Sequence, residues 1–261
     1  MPPGLTVALV GGLGNQLFQL AALLHVARHT KRVPYIQTLA NPSPHSSVSY
    51  FDTILGHFKH LHSALRPSSK VTEPSMAYAD WRGLLRFKDN PEMDGYFQDW
   101  RYVDSDFVSS LRFSEGVLSR YPDIGEGVFL HIRGGDYVNH WLHGLDLDAY
   151  YTRAIAFFPG AHLYVVTNDA EYARSRPYLV DVPFTLVEES EIDSLFLMSK
   201  CAGGICANSS FSWWGAYLNP NRKIVMPDQW YTAAWYNFSG YYFPGVIICP
   251  VQAPSTEAEE A

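Results

Sequence analysis

The segment HIRGGDYV, residues 131–138, places three polar side chains around two glycines. Arg133 is a permanent cation whose planar guanidinium can grip a diphosphate through two parallel hydrogen bonds. Asp136 can orient that arginine or act as a base, and His131 can donate to a nucleobase or a ribose. The alternative is a surface arginine–aspartate pair beside a core histidine. The segment therefore predicts either an anion site or a packed surface turn.

A second glycine turn, GGLGNQ at residues 11–16, lies between a short apolar stretch and a helical pattern. It is not a dinucleotide-binding fingerprint, because Leu17 occupies the place of the last glycine, and it lacks the Gly-Lys-Ser/Thr of a P-loop. Gly12 and Gly14 let backbone N–H groups approach an anion at the helix N-terminus, where Asn15 can cap or donate. A plain tight turn is the alternative.

Two further polar turns follow predicted strands. In TND, residues 167–169, the Asp169 carboxylate suits the two adjacent donors on a guanine edge, and the alternative is capping of the next helix. In ANSSFS, residues 207–212, polar side chains converge with the N–H groups of a helix start, which predicts a second anion site. The side chains that would contribute to it are Asn208, Ser209, Ser210 and Ser212.

The elements that must position these residues alternate between strand and helix. Predicted strands are 5–10, 127–133, 161–169, 183–189, 203–208 and 222–228. Predicted helices are 15–29, 104–118, 147–158, 191–201 and 210–218. This alternation is typical of a parallel sheet covered by helices on both faces. Because all four polar turns follow predicted strands, we expect them on the same rim, beyond the carboxyl ends of the strands.

Composition excludes several classes of function. The chain has 261 residues, 47% of them hydrophobic, which is enough for one large α/β domain or two small ones. Its formal net charge of −7 argues against nucleic-acid binding, which needs a basic surface. The three cysteines form neither a disulfide framework nor a zinc pattern and are expected to be buried free thiols. No apolar run reaches the length of a membrane span.

Together the motifs resemble the α-1,2-fucosyltransferase family, which is glycosyltransferase family 11. The matching segments are GGLGNQLFQLA, GYFQDWRY, HIRGGDYV, LYVVTND, DSLFLMSKCAGGICANSSFSWWGAYL and VMPDQWY, in the family's order over positions 11–231. Those enzymes transfer L-fucose from GDP-fucose to the 2-hydroxyl of a galactose-like acceptor with inversion. The resemblance implies a GDP-sugar donor and a glycan or galactoside acceptor as partners. It also implies a cytoplasmic location, or one peripheral to a membrane where such acceptors are assembled.

The resemblance further implies a GT-B-like α/β fold, with two Rossmann-like halves whose parallel sheets flank a cleft. We expect residues 1–120 to form the acceptor half, residues 121–250 to bind the GDP-sugar, and residues 251–261 to be a disordered acidic tail. Arg133 corresponds to the family's donor-phosphate arginine, and Asn15 lies in its phosphate-facing loop. Further positions that correspond to contacts with the donor phosphates or the guanosine are His131, Asp169, Ser209, Ser210 and Ser212.

Two features depart from the family pattern. Many members carry a second arginine where this chain has Gly134, and residues 40–95 match no family segment. No Asp-x-Asp directly follows a predicted strand, so we expect chemistry without a metal or other cofactor. The first candidate for a general base is Asp136, although a carboxylate beside a guanidinium is a weak base, and the second is His143. Two rival interpretations stay open: a transferase for another GDP-6-deoxysugar, and a GDP-sugar-binding protein without turnover.

Overall fold

The chain forms two α/β units, each built on a parallel sheet. The computed structural model describes residues 2–37, 48–75, 77–221, 223–236 and 239–252. One unit comprises Met1–Ser114 with Phe238–Tyr241, and the other comprises Glu115–Asn237 with Tyr242–Ala261. Most of the tail predicted at 251–261 lies outside the described residues. Within the described part of the chain, no helix is long and apolar enough to cross a membrane.

The part of the first unit that the structure describes contains four short strands and three helices. Its strands are β1 (Gly4–Val7), β2 (Val33–Tyr35), β3 (Ser69–Thr72) and β4 (Pro91–Asp94), in the sheet order β2-β1-β4-β3. Its helices are α1 (Leu13–Thr30), α2 (Trp81–Leu84) and α3 (Ser105–Ser110). Helix α1 is rich in leucine and alanine, which favour helix, and it ends where Lys31 adopts the left-handed conformation with φ 56°.

The second unit contains six strands and four helices among its described residues. The strands are β5 (Val128–Ile132), β6 (Leu163–Thr167), β7 (Phe184–Val187), β8 (Gly203–Ile205), β9 (Ile224–Pro227) and β10 (Ile247–Cys249). The helices are α4 (Asp148–Ile155), α5 (Ala170–Arg174), α6 (Glu191–Lys200) and α7 (Ser210–Tyr217). The sheet order β10-β9-β8-β5-β6-β7, read from β7, is the 3-2-1-4-5-6 order of a Rossmann sheet.

Side-chain caps place polar residues at the carboxyl edge of the second sheet. Helices α5, α6 and α7 follow β6, β7 and β8, and they begin at the N-caps Asp169, Ser190 and Ser209. Each of these side chains accepts an N–H from the first turn of its helix, which satisfies a donor that the helix itself leaves unpaired. The strand-to-helix junctions are therefore polar and ordered.

The core confirms several predictions about buried residues. Strand β5 is buried along its whole length, and Leu130 and Ile132 pack in one apolar cluster with α4. Trp213 and Trp214 are fully buried, as expected for structural residues. The three cysteines are free and buried, as predicted from their spacing.

The prediction that four polar turns share one rim is wrong. GGLGNQ follows β1 in the first sheet, whereas HIRGGD, TND and ANSSFS follow β5, β6 and β8 in the second. Alternation along a chain does not reveal whether successive strands join one sheet or two. Strands β2, β3 and β4 were not predicted because they are only three or four residues long and partly polar.

The helix predicted at 104–118 is also wrong in its length. Helix α3 ends at Ser110, and a separate 3₁₀ turn covers Glu115–Arg120. The break has a tertiary cause, because the N–H of Arg112 donates to the carbonyl of Ile54 at 3.1 Å instead of continuing the helical pattern. Two further 3₁₀ turns, Tyr50–Asp52 and Gly56–Leu61, precede β3.

Candidate functional site at the carboxyl ends of the strands

Two predicted donor-binding segments meet at the switch point of the second sheet. Strands β5 and β8 are neighbours there, with Leu130 paired to Ile205, and the chain continues from them toward opposite edges of the sheet. In open α/β sheets, ligands bind beyond the carboxyl ends of the strands at such a point. Arg133 follows β5 and Ser209 follows β8, so the topology brings the arginine turn next to the serine-rich helix start.

Arg133 is held at this point by a charge and by a ring. Its Nη2 lies 2.9 Å from a carboxylate oxygen of Asp136, and its guanidinium lies over the Tyr137 ring, 4.9 Å from the centroid. The Arg133 side chain is 13% exposed, whereas that of Asp136 is 55% exposed. The predicted pair therefore exists, with a largely buried cation and a solvated partner that a phosphate could replace.

The two glycines after Arg133 form hydrogen bonds with the turn after β6. The N–H of Gly134 donates to Asn168 Oδ1 at 2.9 Å, and that of Gly135 donates to Asp169 Oδ2 at 3.3 Å. A Cβ atom at Gly134 would lie 2.7 Å from the Cβ of Asp169, so the family's second arginine does not fit this arrangement. Asp169 also caps α5 by accepting the N–H of Tyr172 at 3.0 Å. The structure thus shows the capping role for Asp169, and its guanine contact stays a prediction.

His131 lies in the core rather than on the surface of the turn. It is 2% exposed, and its Nδ1 has no hydrogen-bond partner among the described residues. Burial, followed by the nearby charge of Arg133, lowers the pKa of His131 to about 3, so the ring is neutral at physiological pH. Its carbonyl accepts a hydrogen bond from the Tyr151 hydroxyl at 2.8 Å. The predicted contact with a base or ribose is not tested by this placement.

The polar residues at the start of α7 differ in their surroundings. Ser209 caps the helix by accepting the N–H of Phe211 at 3.3 Å, and Ser210 is a half-buried first residue. Ser212 is fully buried and its hydroxyl donates inward, to the carbonyl of Ala207 at 3.3 Å. The structure therefore brings Ser209 and Ser210 to the switch point but buries Ser212 in the interior of the unit.

Asn208 joins this helix start to the loop that follows β5. Its side-chain amide donates to the carbonyl of His143 at 2.9 Å and to that of Trp230 at 3.0 Å. Such a buried amide fixes the separation of two chain segments by direct hydrogen bonds. The structure therefore places Asn208, predicted as a donor-binding residue, as a tie between loops that also lines the adjacent cavity.

A cavity of about 250 Å³ opens beside Arg133, wholly within the second unit. Its lining includes Arg133, Tyr137, His143 and Asn208. The His143 ring stacks on Tyr137 with 4.7 Å between centroids, and its Nδ1 has no hydrogen-bond partner among the described residues. Burial is the main cause that lowers the pKa of His143 below its ordinary value, and His140 and Arg133 act in the same direction against Asp136. The ring is therefore available as a neutral proton acceptor.

The two candidates for a general base are thus placed differently. Asp136 accepts from Asn168 at 3.3 Å and pairs with Arg133, and it is not among the described residues that line the cavity. His143 lines the cavity together with Arg133. The structure separates the residue ranked first by sequence from the cavity and brings the residue ranked second into it.

The GGLGNQ turn in the first unit is organised by amide side chains. Gly11 is the residue with a positive φ, +79°, and Gly12 is the N-cap of α1 without a side-chain cap. Asn15 Oδ1 accepts a hydrogen bond from the Gln98 side chain at 2.8 Å, which joins the turn to the segment after β4. Gly14 is buried in the first turn of α1. The phosphate-facing role of Gly12, Gly14 and Asn15 stays a prediction.

Several residues near these sites were not singled out by the sequence. In the second unit, Asp148, Tyr151, Arg176 and Tyr178 line the cavity with Arg133, and only a tyrosine-rich composition hinted at them. In the first unit, Gln98 lies in the quoted segment GYFQDWRY without having been assigned a role. Among the described residues, no three His, Cys, Asp or Glu side chains form a group suited to hold a metal ion.

Comparison with known proteins adds a family to this geometry. Residues 88–238, more than half of the chain, match the family model described as glycosyl transferase family 11. The O-antigen biosynthesis glycosyltransferase WbnK of Escherichia coli is 28% identical, over 85% of this chain and 93% of that protein. An alpha-1,2-colitosyltransferase of Escherichia coli is 35% identical over 40% of this chain and 41% of that protein. A galactoside 2-alpha-L-fucosyltransferase of Caenorhabditis elegans is 23% identical over 85% of this chain and 71% of that protein.

Solved structures give the same fold. The fucosyltransferase NodZ from Bradyrhizobium has a TM-score of 0.51 at 14% identity, over 84% of this chain and 95% of that one. The structure of NodZ alpha-1,6-fucosyltransferase soaked with GDP-fucose also has a TM-score of 0.51, at 15% identity over 87% of this chain and 96% of that one. At such low identity the likeness concerns the fold, and with the two parallel sheets it confirms the GT-B-like expectation.

Proposed function

The chain belongs to glycosyl transferase family 11, and from that membership we propose that it transfers L-fucose from GDP-fucose to the 2-hydroxyl of a galactose-type acceptor with inversion. The name of the Caenorhabditis elegans relative, a galactoside 2-alpha-L-fucosyltransferase, supports this acceptor and this linkage. The shared fold of NodZ, which was crystallised and soaked with GDP-fucose, supports the donor. Membership of the family makes the chain a glycosyltransferase, and the donor and acceptor are our proposal.

The observation that carries the proposal is the position of Arg133 at the switch point of the second sheet. Arg133 directly follows β5, and the neighbouring strand β8 leads to the start of α7, where Ser209 and Ser210 precede the N–H groups of the first turn. A guanidinium and a helix N-terminus both favour negative charge. We therefore assign the GDP diphosphate to the space between the Arg133 turn and the start of α7.

In the proposed reaction, the acceptor oxygen attacks the anomeric carbon of fucose from the face opposite GDP. The bond between that carbon and the phosphate oxygen breaks, its electron pair stays on the diphosphate, and the sugar passes through an oxocarbenium-like transition state. Arg133 stabilises the charge that grows on the leaving group, and fixed donors of this kind commonly contribute several kcal/mol. Asp136 keeps the guanidinium oriented until the phosphate arrives.

We assign the general base to His143 in preference to Asp136. His143 lines the cavity beside Arg133, and its depressed pKa keeps the ring neutral and able to accept the proton of the acceptor hydroxyl. Asp136 is already paired with Arg133 and bonded to Asn168, so taking a proton would weaken both contacts. This assignment reverses the order in which the sequence ranked the two residues.

We propose that the transfer needs no metal ion. Asp146 and Asp148 are the acidic residues among the described residues that line the cavity, and both carboxylates have protein partners. Asp146 Oδ1 accepts the N–H of Asp148 at 3.0 Å, and Asp148 lies 3.7 Å from Arg176. The positive charge that a metal would supply to the diphosphate is assigned to Arg133 and the start of α7 instead.

The experiment that tests the function measures turnover of GDP-fucose with a panel of β-galactosides. It is run with EDTA and with added Mg²⁺, and a control without acceptor measures hydrolysis. The expected result is transfer to the 2-hydroxyl, with an α-linked product, at a rate that EDTA does not change. Binding of GDP-fucose without transfer to any acceptor would favour a binding protein. Absence of binding to any GDP-sugar would overturn the proposal, and inhibition by EDTA would overturn its metal-free form.

A second donor is favoured by one relative. The alpha-1,2-colitosyltransferase of Escherichia coli is 35% identical to part of this chain, and colitose is fucose without its 3-hydroxyl group. The diphosphate and nucleoside contacts are the same for both donors, so these contacts do not discriminate between them. Parallel kinetics with the two GDP-sugars decide the question, and a higher kcat/KM with the 3-deoxy donor would favour the second candidate.

A further inference from the structure

Part of the cavity beside Arg133 has no role in the transfer described so far. Arg133, Tyr137 and His143 account for one group of its lining residues. A second group of lining residues comes from α4, from α5 and from the turn after α5. Its members are Asp148, Tyr151, Tyr172, Arg176 and Tyr178. All of them belong to the second unit, so this part of the cavity is defined by one unit alone.

Tyr178 is the least satisfied member of the second group. It is 7% exposed, and its hydroxyl has no hydrogen-bond partner among the described residues. Its ring packs on Tyr151 with 4.8 Å between centroids, which fixes the direction of the hydroxyl. A buried hydroxyl without a partner is unfavourable for the folded state, so a partner is expected from a ligand or a water molecule that enters the cavity.

A charged pair lies in the same group. Arg176 Nη1 is 3.7 Å from Asp148 Oδ2, which is longer than a direct hydrogen bond. The guanidinium also stacks over the Tyr172 ring, 4.1 Å from its centroid. A carboxylate and a guanidinium held apart in this way offer an acceptor and several donors to one polar ligand. Adjacent hydroxyl groups of a sugar present both functions at that spacing.

Charge and shape exclude the other parts of a GDP-sugar from this group. A phosphate would meet the carboxylate of Asp148 as well as the arginine, so the local charge does not favour an anion. A nucleobase needs an open ring face, but the Tyr172 face is covered by Arg176. The whole cavity measures about 250 Å³, already below the range of roughly 300–1,000 Å³ typical of drug-sized ligands, and this group lines only part of it. One uncharged ring with several hydroxyl groups fits these limits.

We propose that this part of the cavity binds the sugar ring of the donor, with Asp148, Arg176 and the Tyr178 hydroxyl as the residues that recognise its hydroxyl groups. The proposal rests on the proposed function, because Arg133 lines the same cavity and is the assigned ligand of the diphosphate to which the sugar is joined. Tyrosine rings, apolar on the face and polar at the tip, suit the mixed surface of a deoxysugar. The three residues therefore determine which GDP-sugar is accepted.

The test compares the binding of GDP, which lacks the sugar, with that of GDP-fucose by calorimetry without acceptor. Tyr178→Phe removes only the hydroxyl, and we expect the Kd for GDP-fucose to rise about fivefold to tenfold. Asp148→Asn removes a charged acceptor, and we expect a rise of about tenfold or more. In both variants the Kd for GDP should stay at the wild-type value. Tyr164→Phe, a buried tyrosine outside the lining residues, is the matched control and should change neither constant.

Each alternative has its own outcome. Equal weakening of GDP and GDP-fucose would assign the group to the nucleotide, and an effect on the acceptor KM alone would assign it to the acceptor; both overturn the proposal. Unchanged binding in Tyr178→Phe and Asp148→Asn would show that water fills this space, and would also overturn it. Thermal unfolding checks that each variant is folded. If wild-type protein binds GDP but not GDP-fucose, the proposed function fails first, and this inference fails with it.

Discussion

The carboxyl edges of the two sheets are built from similar elements but with different chemistry. In the first unit, β1 leads through a glycine turn into α1, and amide side chains bridge the edge: Gln19 accepts the N–H of Val10 and donates to the carbonyl of Gly95. In the second unit, β5 leads directly to Arg133, and two glycines separate Arg133 from Asp136, with which it forms an ion pair. The turn after β1 is therefore bridged by neutral amides, whereas the turn after β5 carries an ion pair.

The difference indicates which ligand each edge suits. Amides that donate and accept at once hold a backbone turn in place and match uncharged hydroxyl groups. A guanidinium paired with a solvated carboxylate suits an anionic ligand. A diphosphate carries more negative charge than the carboxylate and can replace it as the partner of the guanidinium. This comparison supports our proposal that the second unit binds the donor diphosphate. The phosphate-facing role predicted for Asn15 stays a prediction, and its amide network favours a hydroxylic ligand instead.

The largest effect is expected from removing the cation of the charged edge. Arg133→Ala should lower kcat by about a hundredfold or more, because a fixed donor to a leaving group contributes roughly 3–4 kcal/mol. Steady-state kinetics with GDP-fucose measures this. Arg120→Ala is the matched control, since Arg120 forms an exposed ion pair with Glu189 elsewhere in the same unit. Activity close to wild type in Arg133→Ala would show that the charged turn after β5 does not stabilise the leaving diphosphate.

A smaller loss separates the two candidates for the base. His143→Gln should lower kcat by about a hundredfold, near the lower end for general bases, because an oxocarbenium-like centre needs little help from its nucleophile. Asp136→Asn keeps the shape of the side chain and should cost less than tenfold. A pH profile provides a second readout. Because the pKa of His143 is lowered from 6.5, wild-type kcat/KM should be level above that pH and fall only below it.

The opposite result is equally informative. A large loss in Asp136→Asn with little change in His143→Gln would restore the order given by the sequence. It would also mean that the ion pair with Arg133 opens when the substrate binds. If kcat/KM of His143→Gln still falls at low pH as it does in wild type, His143 is not the group whose protonation causes that fall.

The sequence predicted the charged edge better than the neutral one, for a physical reason. Strands β5 and β6 are continuous apolar runs that end in glycine or polar residues, so pattern alone located them and the turns after them. Strands β3 and β4, with sequences SKVT and PEMD, carry almost no apolar signal. Their strand conformation depends on pairing with neighbours, which the local sequence does not encode.

The site shows the same limit at the level of residues. Arg133 and His143 were predicted because they lie in or near a motif that the local sequence displays. Arg176 and Tyr178 reach the same cavity from more than thirty residues away, through β6 and α5, and nothing near them marks that approach. The two possible roles of Asp169 could not be ranked by sequence, because capping and ligand binding both require a carboxylate at the end of a strand.

One buried carboxyl group lies beside Gly95, the residue whose carbonyl Gln19 binds in the first unit. Glu73 follows β3 and accepts the N–H groups of Tyr96 and Phe97, and burial raises its pKa to about 7 from an ordinary 4.5. The folded state therefore holds a proton that the unfolded state has released, so stability should fall as the pH rises from about 4.5 to about 7. Glu73→Gln keeps an acceptor and removes the titration. Relative to wild type, it should gain about 3 kcal/mol of unfolding free energy across that window.

Urea unfolding of both proteins between pH 4 and pH 8 measures this difference. Glu189→Gln is a matched control, because that carboxylate lies in the second unit, where its pKa is lowered chiefly by Arg120. Because the pKa of Glu189 is lowered, its contribution to the free energy of unfolding should be lost as the pH falls, which is opposite to the pH dependence expected for Glu73. Parallel curves for wild type and Glu73→Gln would show that the Glu73 carboxyl is ionised in the folded protein, and would contradict this prediction.

The smallest effect concerns the shape of the neutral turn. Gly11 has φ +79°, and a Cβ atom there would lie 2.6 Å from Asn15 Nδ2, so Gly11→Ala combines backbone strain with a contact that Asn15 must relieve. We expect a loss of about 2 kcal/mol in unfolding free energy. Gly160→Ala, with φ +73° and open space, should lose about 1 kcal/mol from strain alone. Gly83→Ala, in α2 with open space, should be neutral or slightly stabilising.

The ranking of these three variants is more informative than any single value. If Gly11→Ala and Gly160→Ala lose the same free energy, the Asn15 side chain moves away at little cost, and the amide network around it is soft. If Gly11→Ala loses distinctly more, the network resists displacement, because Asn15 is held by the Gln98 amide at 2.8 Å. A rigid first edge would then be maintained by hydrogen bonds between neutral groups, as the second edge is by the ion pair of Arg133. A further comparison of acceptor KM in Gly11→Ala and Gly160→Ala would show whether that rigidity serves acceptor binding.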